Sequence, residues 1–290
     1  IAYQDYSDYD LKYAKKVNGG SWYDTNVTEG GTWDGYYNSI DIDSTGRIHI
    51  SYQGGNDLLY STYDGNTSSI ISWSHSVVDS VNNTGYYSSI DVDQNQDVHI
   101  SYNMNSGGLR YAFKNGSTWN ASTVLDSSGN IFDARDTSLE VDANGFAHVL
   151  ISTSNGLFHL VHDGNSWINS SLDRGLSFER CTMSLDSNLG VHVAYYDPVG
   201  ALKYASAPGN PPTTPTNESS ELSTWSNTTI GYDMSQVSAI LDDNGKAHLS
   251  YYDSLNEDLM YATNKNGAWQ NYTIDSSGDV GQFSSIAIDS

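Results

Sequence analysis

The chain has 290 residues, of which 12 are Lys or Arg and 35 are Asp or Glu, so its formal net charge is −23 at pH 7. Such a charge repels nucleic-acid phosphates and anionic lipid headgroups and excludes both as preferred partners. No apolar run is long enough for membrane insertion as a helix, and the single cysteine, Cys181, excludes an internal disulfide.

One short motif recurs about every 50 residues along the chain. It opens with Asp and closes with His six positions later, as DSTGRIH, DQNQDVH, DANGFAH, DSNLGVH and DDNGKAH, starting at Asp43, Asp93, Asp142, Asp186 and Asp242. A residue that is repeated in every unit serves packing more often than chemistry. We therefore expect each Asp to accept hydrogen bonds from its own turn and each His to join a buried network.

Two further markers define the same units. A leucine stands two residues before a Tyr or His at Leu11, Leu58, Leu109, Leu157, Leu202 and Leu259, and a tryptophan follows it at Trp22, Trp73, Trp119, Trp167, Trp225 and Trp269. We expect these tryptophans to pack between sheets. Within each unit, alternating apolar and polar residues between Gly, Asn and Asp turns predict four short strands, and no segment has a helical pattern.

Six such units predict an all-β fold, a single six-bladed β-propeller with four antiparallel strands per blade. The predicted blades are approximately 37–80, 87–127, 136–173, 181–230 and 237–276, with a sixth that joins 284–290 to 1–28. In that sixth blade, the segment FSSIAIDS is the innermost strand, and residues 1–28 supply the outer three strands. The N- and C-terminal segments then share one blade and close the ring, which removes exposed sheet edges. A piece cut from a longer, open array is the alternative.

The turn before the last strand of a unit resembles a degenerate Asp-box of the sialidase-like propellers. It reads DGNSW (163–167), NGSTW (115–119) and NGAW (266–269). The units also resemble the secreted SIDVDxxGxVHISYYD repeats of environmental bacteria and archaea and, more distantly, the six-bladed fucose lectins. These resemblances imply a secreted or cell-surface propeller. They carry over no catalytic residue, because no unit has the full Asp-box Ser-x-Asp-x-Gly-x-x-Trp. The chain has only five arginines, from which sialidases would need a triad, and the Arg-Ile-Pro signature is absent.

Differences between the units indicate where a ligand binds, since packing imposes symmetry and a ligand breaks it. At the start of the innermost strand the aligned pairs are Tyr36-Tyr37, Tyr86-Tyr87, Arg135-Asp136, Glu179-Arg180, Ser235-Gln236 and Gln282-Phe283. Trp33 belongs to no repeat marker and precedes the first pair. Aromatic faces stack on sugar rings, while acids and arginines bind hydroxyls. The predicted ligand-binding residues are Trp33, Tyr36, Tyr37, Tyr86, Tyr87, Arg135, Asp136, Glu179 and Arg180; ordinary surface aromatics and an internal ion pair are the alternative.

A calcium site is the second hypothesis. Asp41 with Asp43, and Asp91 with Asp93, resemble the Asp-x-Asp-x-Asp-Gly loops of integrin-type propellers, whose alternating oxygens suit a hard cation. In this chain a histidine stands where that family has its final aspartate. Calcium is the one candidate cofactor, and a metal-free hairpin is the alternative.

The sequence therefore predicts a non-catalytic extracellular recognition module, lectin-like, whose partner is a glycan or glycoprotein. A polysaccharide hydrolase or lyase that uses Glu179 or Asp136 is one alternative. A structural or adhesive part of a cell-surface assembly, with protein partners, is the other. The fold alone does not choose among these functions.

Overall fold

The computed structural model describes residues 1–5, 7–16, 21–29, 33–64, 72–125, 135–174, 179–197, 199–208, 225–282, 284, 286 and 288. Over these residues the secondary structure is entirely β, as predicted. None of them forms a helix with the length and hydropathy that crossing a bilayer requires. The chain divides into two compact units, unit 1 with residues 1–133 and 143–145, and unit 2 with residues 134–142 and 146–290.

Unit 1 contains three antiparallel sheets whose strands follow one another in chain order. The first sheet has three strands, β1 (Ala2–Asp5), β2 (Asp10–Lys16) and β3 (Trp22–Asn26). The second has four, β4 (Asp34–Ile42), β5 (Ile48–Gly54), β6 (Asp57–Tyr63) and β7 (Ser74–Asp79). The third has β8 (Thr84–Val92), β9 (Val98–Met104), β10 (Leu109–Asn115) and β11 (Thr118–Leu125).

Unit 2 contains three four-stranded sheets with the same order. The first consists of β12 (Asp136–Val141), β13 (Ala147–Thr153), β14 (Gly156–His162) and β15 (Trp167–Arg174). The second consists of β16 (Glu179–Leu185), β17 (Val191–Tyr196), β18 (Ala201–Ala207) and β19 (Ser226–Tyr232). The third consists of β20 (Met234–Leu241), β21 (Ala247–Asp253), β22 (Asp258–Asn266) and β23 (Ala268–Asp275). Each sheet is the four-stranded blade that the repeat predicts.

The core lies between consecutive blades of a unit. Every residue of β5 and of β13 is buried, so these second strands are covered on both faces. Leu58 and Tyr60 of β6 share one buried cluster with Ile100 and Tyr102 of β9, in the next blade. Stacked sheets bury apolar side chains from both facing surfaces, and this burial stabilises the stack by about 25 cal/mol per Å² of apolar area.

The repeated leucine supports the start of the following blade. Leu58 is fully buried, and a Cβ added to Gly85 would lie 3.1 Å from the Leu58 Cα. Gly85 has φ +93°, a conformation that favours glycine. Gly281 passes over Leu259 in the same way, with φ +98° and a hypothetical Cβ at 2.6 Å. The segment after β23 therefore leaves its blade as the other segments between blades do.

Side chains of one innermost strand bind the backbone of the next innermost strand. Ile90 N–H donates to Ser39 Oγ (3.2 Å), Met183 N–H to Ser138 Oγ (3.1 Å), and Ile286 N–H to Ser238 Oγ (3.4 Å). Ile286 thus occupies the position of an innermost strand beside β20. The predicted role of the last segment as the innermost strand of a sixth blade, its pairing with β1 and the blade limits stay predictions.

The repeated Asp and His of the blade β4–β7 form one hydrogen-bond network. Asp43 Oδ1 accepts the N–H groups of Thr45 (2.8 Å) and Arg47 (3.0 Å). His49 Nε2 lies 3.3 Å from Asp43 Oδ2, and its Nδ1 lies 2.7 Å from the Tyr60 hydroxyl. Burial raises the pKa of Asp43, but its hydrogen bonds lower that pKa to about 2. Since a carboxylate can only accept, Nε2 carries the histidine proton and Nδ1 accepts from Tyr60.

The contact between the repeated histidine and the third strand recurs in four further blades, as His99 with Tyr111, His148 with His159, His192 with Tyr204, and His248 with Tyr261. The hydrogen bond to the repeated Asp recurs for His192 (3.0 Å) and His248 (3.5 Å), whereas His99 and His148 lie 3.9 Å and 3.8 Å from Asp93 and Asp142. The prediction that the repeated Asp and His serve turns and buried networks is confirmed. The blade of β12–β15 differs, because a histidine replaces the tyrosine.

The tryptophan marker links neighbouring blades at four of its six positions. The Trp119 indole packs edge-on against Tyr60, with centroids 5.1 Å apart, and its Nε1–H donates to Ser76 Oγ (3.1 Å). Trp73, Trp225 and Trp269 contact Tyr13, His159 and Tyr204 in the same manner. Trp22 is 57% exposed, so the expectation of packing between sheets is wrong there.

Candidate functional site

A β-bulge marks the start of several innermost strands. The pairing of β4 with β5 shifts between Tyr36 and Ser39, and Tyr37 has φ +49°. Tyr87, Arg180 and Gln236 occupy the equivalent positions with φ +51°, +54° and +59°. A bulge bends the strand and redirects a side chain. Because the bulge recurs, it belongs to the fold, and the identity of the side chain that it carries distinguishes the blades.

In unit 1 the bulge residues belong to a continuous aromatic row. We define this aromatic row as Tyr9, Trp33, Tyr36, Tyr37, Tyr86 and Tyr87. Successive ring centroids lie 4.2 Å apart for Tyr9–Trp33, 6.5 Å for Trp33–Tyr36, 6.3 Å for Tyr36–Tyr37, 5.3 Å for Tyr37–Tyr86 and 4.5 Å for Tyr37–Tyr87. Trp33 is 55% exposed and Tyr37 is 37% exposed. The structure thus brings together all five of the predicted aromatic residues.

Tyr9 is the member of the row that the sequence did not single out. It lies in the turn between β1 and β2 with φ +59°. Its N–H donates to Asp5 O (2.8 Å), and its carbonyl accepts the N–H of Asp34 (3.0 Å). These bonds place its ring against Trp33. The available signal was the Tyr-rich stretch YQDYSDYD, which lies in a loop after a predicted second strand.

Neutral polar groups flank the aromatic row. Asn38 Nδ2–H donates to Gly35 O (2.9 Å), and Gln4 Nε2–H donates to Asp34 O (3.1 Å). Burial raises the pKa of Tyr37, and the neighbouring Tyr87 raises it further. The Tyr37 hydroxyl therefore stays protonated at neutral pH and can both donate and accept a hydrogen bond.

The predicted charged residues lie in unit 2, where Asp136 joins two innermost strands. Its Oδ2 accepts the N–H of Cys181 (3.0 Å), and its Oδ1 accepts the N–H of Thr137 (3.1 Å). Burial raises the pKa of Asp136 to about 6, although the bond from Cys181 and the charge of Arg180 oppose this shift. Asp136 and Arg180 therefore interact electrostatically. The Arg135 N–H donates to Ser152 O (3.0 Å), and the side chain of Glu179 lies outside the described part of the structure.

The carboxylates of the calcium hypothesis accept hydrogen bonds from the protein itself. Asp41 Oδ2 accepts the Val92 N–H (2.9 Å), whereas Asp43 serves its own turn. Asp91 Oδ1 accepts the same Val92 N–H (2.9 Å), and Asp93 serves its own turn like Asp43. Over the described ranges, no three or more His, Cys, Asp or Glu side chains are arranged to hold a metal ion. Calcium binding stays a prediction, and this geometry adds no support to it.

No family model matches the sequence, and no curated protein resembles it closely enough to count as a relative. Solved structures do resemble it. AofleA from Arthrobotrys oligospora superposes with a TM-score of 0.61 at 13% identity, over 94% of this chain and 81% of that chain. The lectin of Aleuria aurantia, described as a six-bladed β-propeller with a novel fucose recognition mode, has a TM-score of 0.58 at 14% identity, over 96% and 92%.

An ulvan lyase that represents a new polysaccharide lyase family has a TM-score of 0.51 at 12% identity, over 79% of this chain and 69% of that chain. At such identities these likenesses show the fold alone. The protein is a six-bladed β-propeller built from antiparallel blades, and the predicted fold class is confirmed. The Asp-box resemblance of its turns stays a hypothesis.

Proposed function

We propose that this protein is an extracellular, lectin-like recognition module that binds carbohydrate on the aromatic row. The observation that carries the proposal is Trp33. It stands outside the repeat, is 55% exposed and lies within a continuous row of rings. A large apolar ring that the repeat does not require, more than half exposed and placed beside hydroxyls and amides, is suited to stack on the face of a sugar ring.

The fold neighbours support the same function. The Aleuria aurantia protein is described as a lectin that recognises fucose. A shared fold does not transfer a ligand, so the aromatic row carries the argument and the neighbours add to it. A glycan or glycoprotein is the partner that we propose, with the protein located outside the cell.

Glycan-array binding followed by titration calorimetry tests this function. Trp33→Ala is expected to weaken binding about tenfold or more, since central aromatic contacts carry most of the energy of such interfaces. Trp22→Ala is the matched control, because Trp22 is 57% exposed and lies outside the row. Equal losses in the two variants, or no binding to any glycan, would contradict the proposal. Concentration-dependent self-association without a glycan response would instead favour a structural or adhesive role.

A polysaccharide hydrolase or lyase is the second candidate, and Asp136 is the observation that favours it. A carboxyl group with a pKa of about 6 can transfer protons near neutral pH. However, its Oδ2 already accepts a main-chain hydrogen bond from Cys181. The release of reducing ends or unsaturated products, abolished in Asp136→Asn, would establish this activity.

A further inference from the structure

The charged residues of unit 1 bear on the class of glycan that the aromatic row can bind. Residues 1–133 contain six Lys and Arg against sixteen Asp and Glu. Lys12 is the basic residue of β2 nearest to Tyr9, and it forms ion pairs with Asp5 and with Asp8 (3.7 Å). The carboxylate of Asp8 is 60% exposed beside Tyr9 in the chain. The nearest basic group is therefore neutralised, and an exposed negative charge lies beside the row.

The other basic side chains of unit 1 make contacts elsewhere. Arg47 pairs with Asp64 (2.6 Å), Arg110 pairs with Asp79 (2.7 Å), Lys15 lies over Tyr63, and Lys114 lies over Tyr60. Lys16 lies opposite Trp22, at the end of β2 that is farther from Tyr9. That end of the strand is about 20 Å from Tyr9. Proteins bind sulfate and carboxylate groups through arginine, lysine or clustered N–H donors. The row is instead flanked by the amides of Asn38 and Gln4.

The length of the aromatic row bears on the size of the ligand. The row runs from Tyr9, between β1 and β2, to Tyr87 at the start of β8, in steps of 4.2 to 6.5 Å. Six rings present more aromatic surface than one sugar ring can cover, so a single monosaccharide contacts only part of the row. Several consecutive sugars are needed to cover it.

We infer that the aromatic row binds consecutive residues of an uncharged glycan chain and discriminates against sulfated and uronic-acid chains. This inference rests on the proposed function and names its ligand class. The tyrosines and amides of the row are neutral groups that can exchange hydrogen bonds with sugar hydroxyls, whereas an anionic chain meets the field of a protein with a formal charge of −23.

Affinity electrophoresis through gels that contain matched polysaccharides tests the inference. The neutral probes are dextran, xyloglucan and galactomannan, and each is paired with its chemically sulfated derivative. We expect at least one neutral polymer to retard the protein, with binding to its sulfated partner about tenfold weaker at low ionic strength. The difference shrinks at high salt, because the Debye length falls to about 3 Å at 1 M. Oligomers of the bound polymer are expected to bind more tightly as they lengthen from one to four sugars.

The outcomes separate the two proposals. Trp33-dependent binding that is equal or stronger for a sulfated polymer would overturn the inference and leave the proposed function in place. Retardation by none of the polymers would overturn both. Asp8→Lys provides an independent test, since it reverses the exposed charge beside Tyr9. It is expected to increase binding of the sulfated polymer several-fold while binding of the neutral polymer stays unchanged, and the absence of any change for the sulfated polymer would contradict the charge argument.

Discussion

Two arginine–aspartate pairs of unit 1 have similar N···O distances and different burial. Arg110 Nε lies 2.7 Å from Asp79 Oδ2, and these side chains are 12% and 4% exposed. Arg47 lies 2.6 Å from Asp64, and these side chains are 45% and 66% exposed. The Tyr102 hydroxyl also donates to Asp79 (2.7 Å). Replacing Asp79 with Ala therefore removes the carboxylate that the buried Tyr102 hydroxyl and the half-buried Arg110 guanidinium share, and leaves Arg110 only its hydrogen bonds to Tyr102 and Thr123.

From this difference we expect Asp79→Ala to lower the free energy of unfolding by about 3–5 kcal/mol. Asp64→Ala is expected to lower it by less than about 1 kcal/mol, because an exposed pair is screened by solvent. Urea unfolding followed by tryptophan fluorescence measures both values, with an unchanged m-value as the check that the transition stays two-state. The double variant Asp79→Leu/Arg110→Met should recover part of the loss, since it leaves no unpaired charge and only the buried Tyr102 hydroxyl without its acceptor. Similar losses for the two single variants, or no recovery in the double variant, would refute the reasoning.

Three other predictions concern acid stability, strain and titration. Burial lowers the pKa of His159 to about 3, so as the pH falls below 6.5 this histidine takes up a proton in the unfolded chain before it does so in the folded protein. Between pH 7 and pH 5 the free energy of unfolding of His159→Tyr should therefore fall by about 2 kcal/mol less than that of the wild type. Equal falls for the variant and the wild type in unfolding titrations at the two pH values would contradict this. Gly85→Ala should lower the free energy of unfolding by roughly 2–3 kcal/mol in the same assay, because it adds a steric clash to backbone strain. Gly116→Ala is the control, because its Cβ would meet open space, and it should lower the free energy of unfolding by about 1 kcal/mol. Carbon-13 NMR should show that the Asp136 carboxyl titrates at about pH 6 and the Asp43 carboxyl at about pH 2. Midpoints near pH 4 for both would show that burial does not raise the pKa of Asp136 and that the turn hydrogen bonds do not lower the pKa of Asp43.

The fold was predictable because each repeated residue has a contact that is fixed by its own blade or by the next. Asp43 and His49 bind within one hairpin and its neighbouring strand. Leu58 and Trp119 make the contacts that connect blades. Trp22 carries the same marker and is exposed. A sequence pattern identifies the side chain that is available for a contact, and it does not show whether the facing surface covers that side chain.

The candidate site was predictable where it departs from the repeat. Trp33 and the two tyrosine pairs differ from the aligned residues of the other blades, and the structure joins them into one row. Tyr9 was missed because its contact with Trp33 depends on a left-handed turn and on a hydrogen bond from Asp34 across two chain segments. The ligand-binding role of Asp136 stays a prediction, and the structure adds that its carboxylate binds the N–H of Cys181. That bond depends on the register between adjacent innermost strands, which no pattern within one strand specifies.

The serine bonds between innermost strands have an evolutionary consequence. Ser39 accepts from the backbone of Ile90, and Ser238 accepts from the backbone of Ile286. In each case a side chain of the earlier blade contacts a peptide group of the later one, and every residue type except proline supplies that peptide group. A duplicated blade would therefore carry both the serine acceptor and the peptide donor of this hydrogen bond, and it could be inserted beside any other blade. Gene duplication can lengthen such an array without first evolving a new interface, while the side chains at each bulge remain free to diverge.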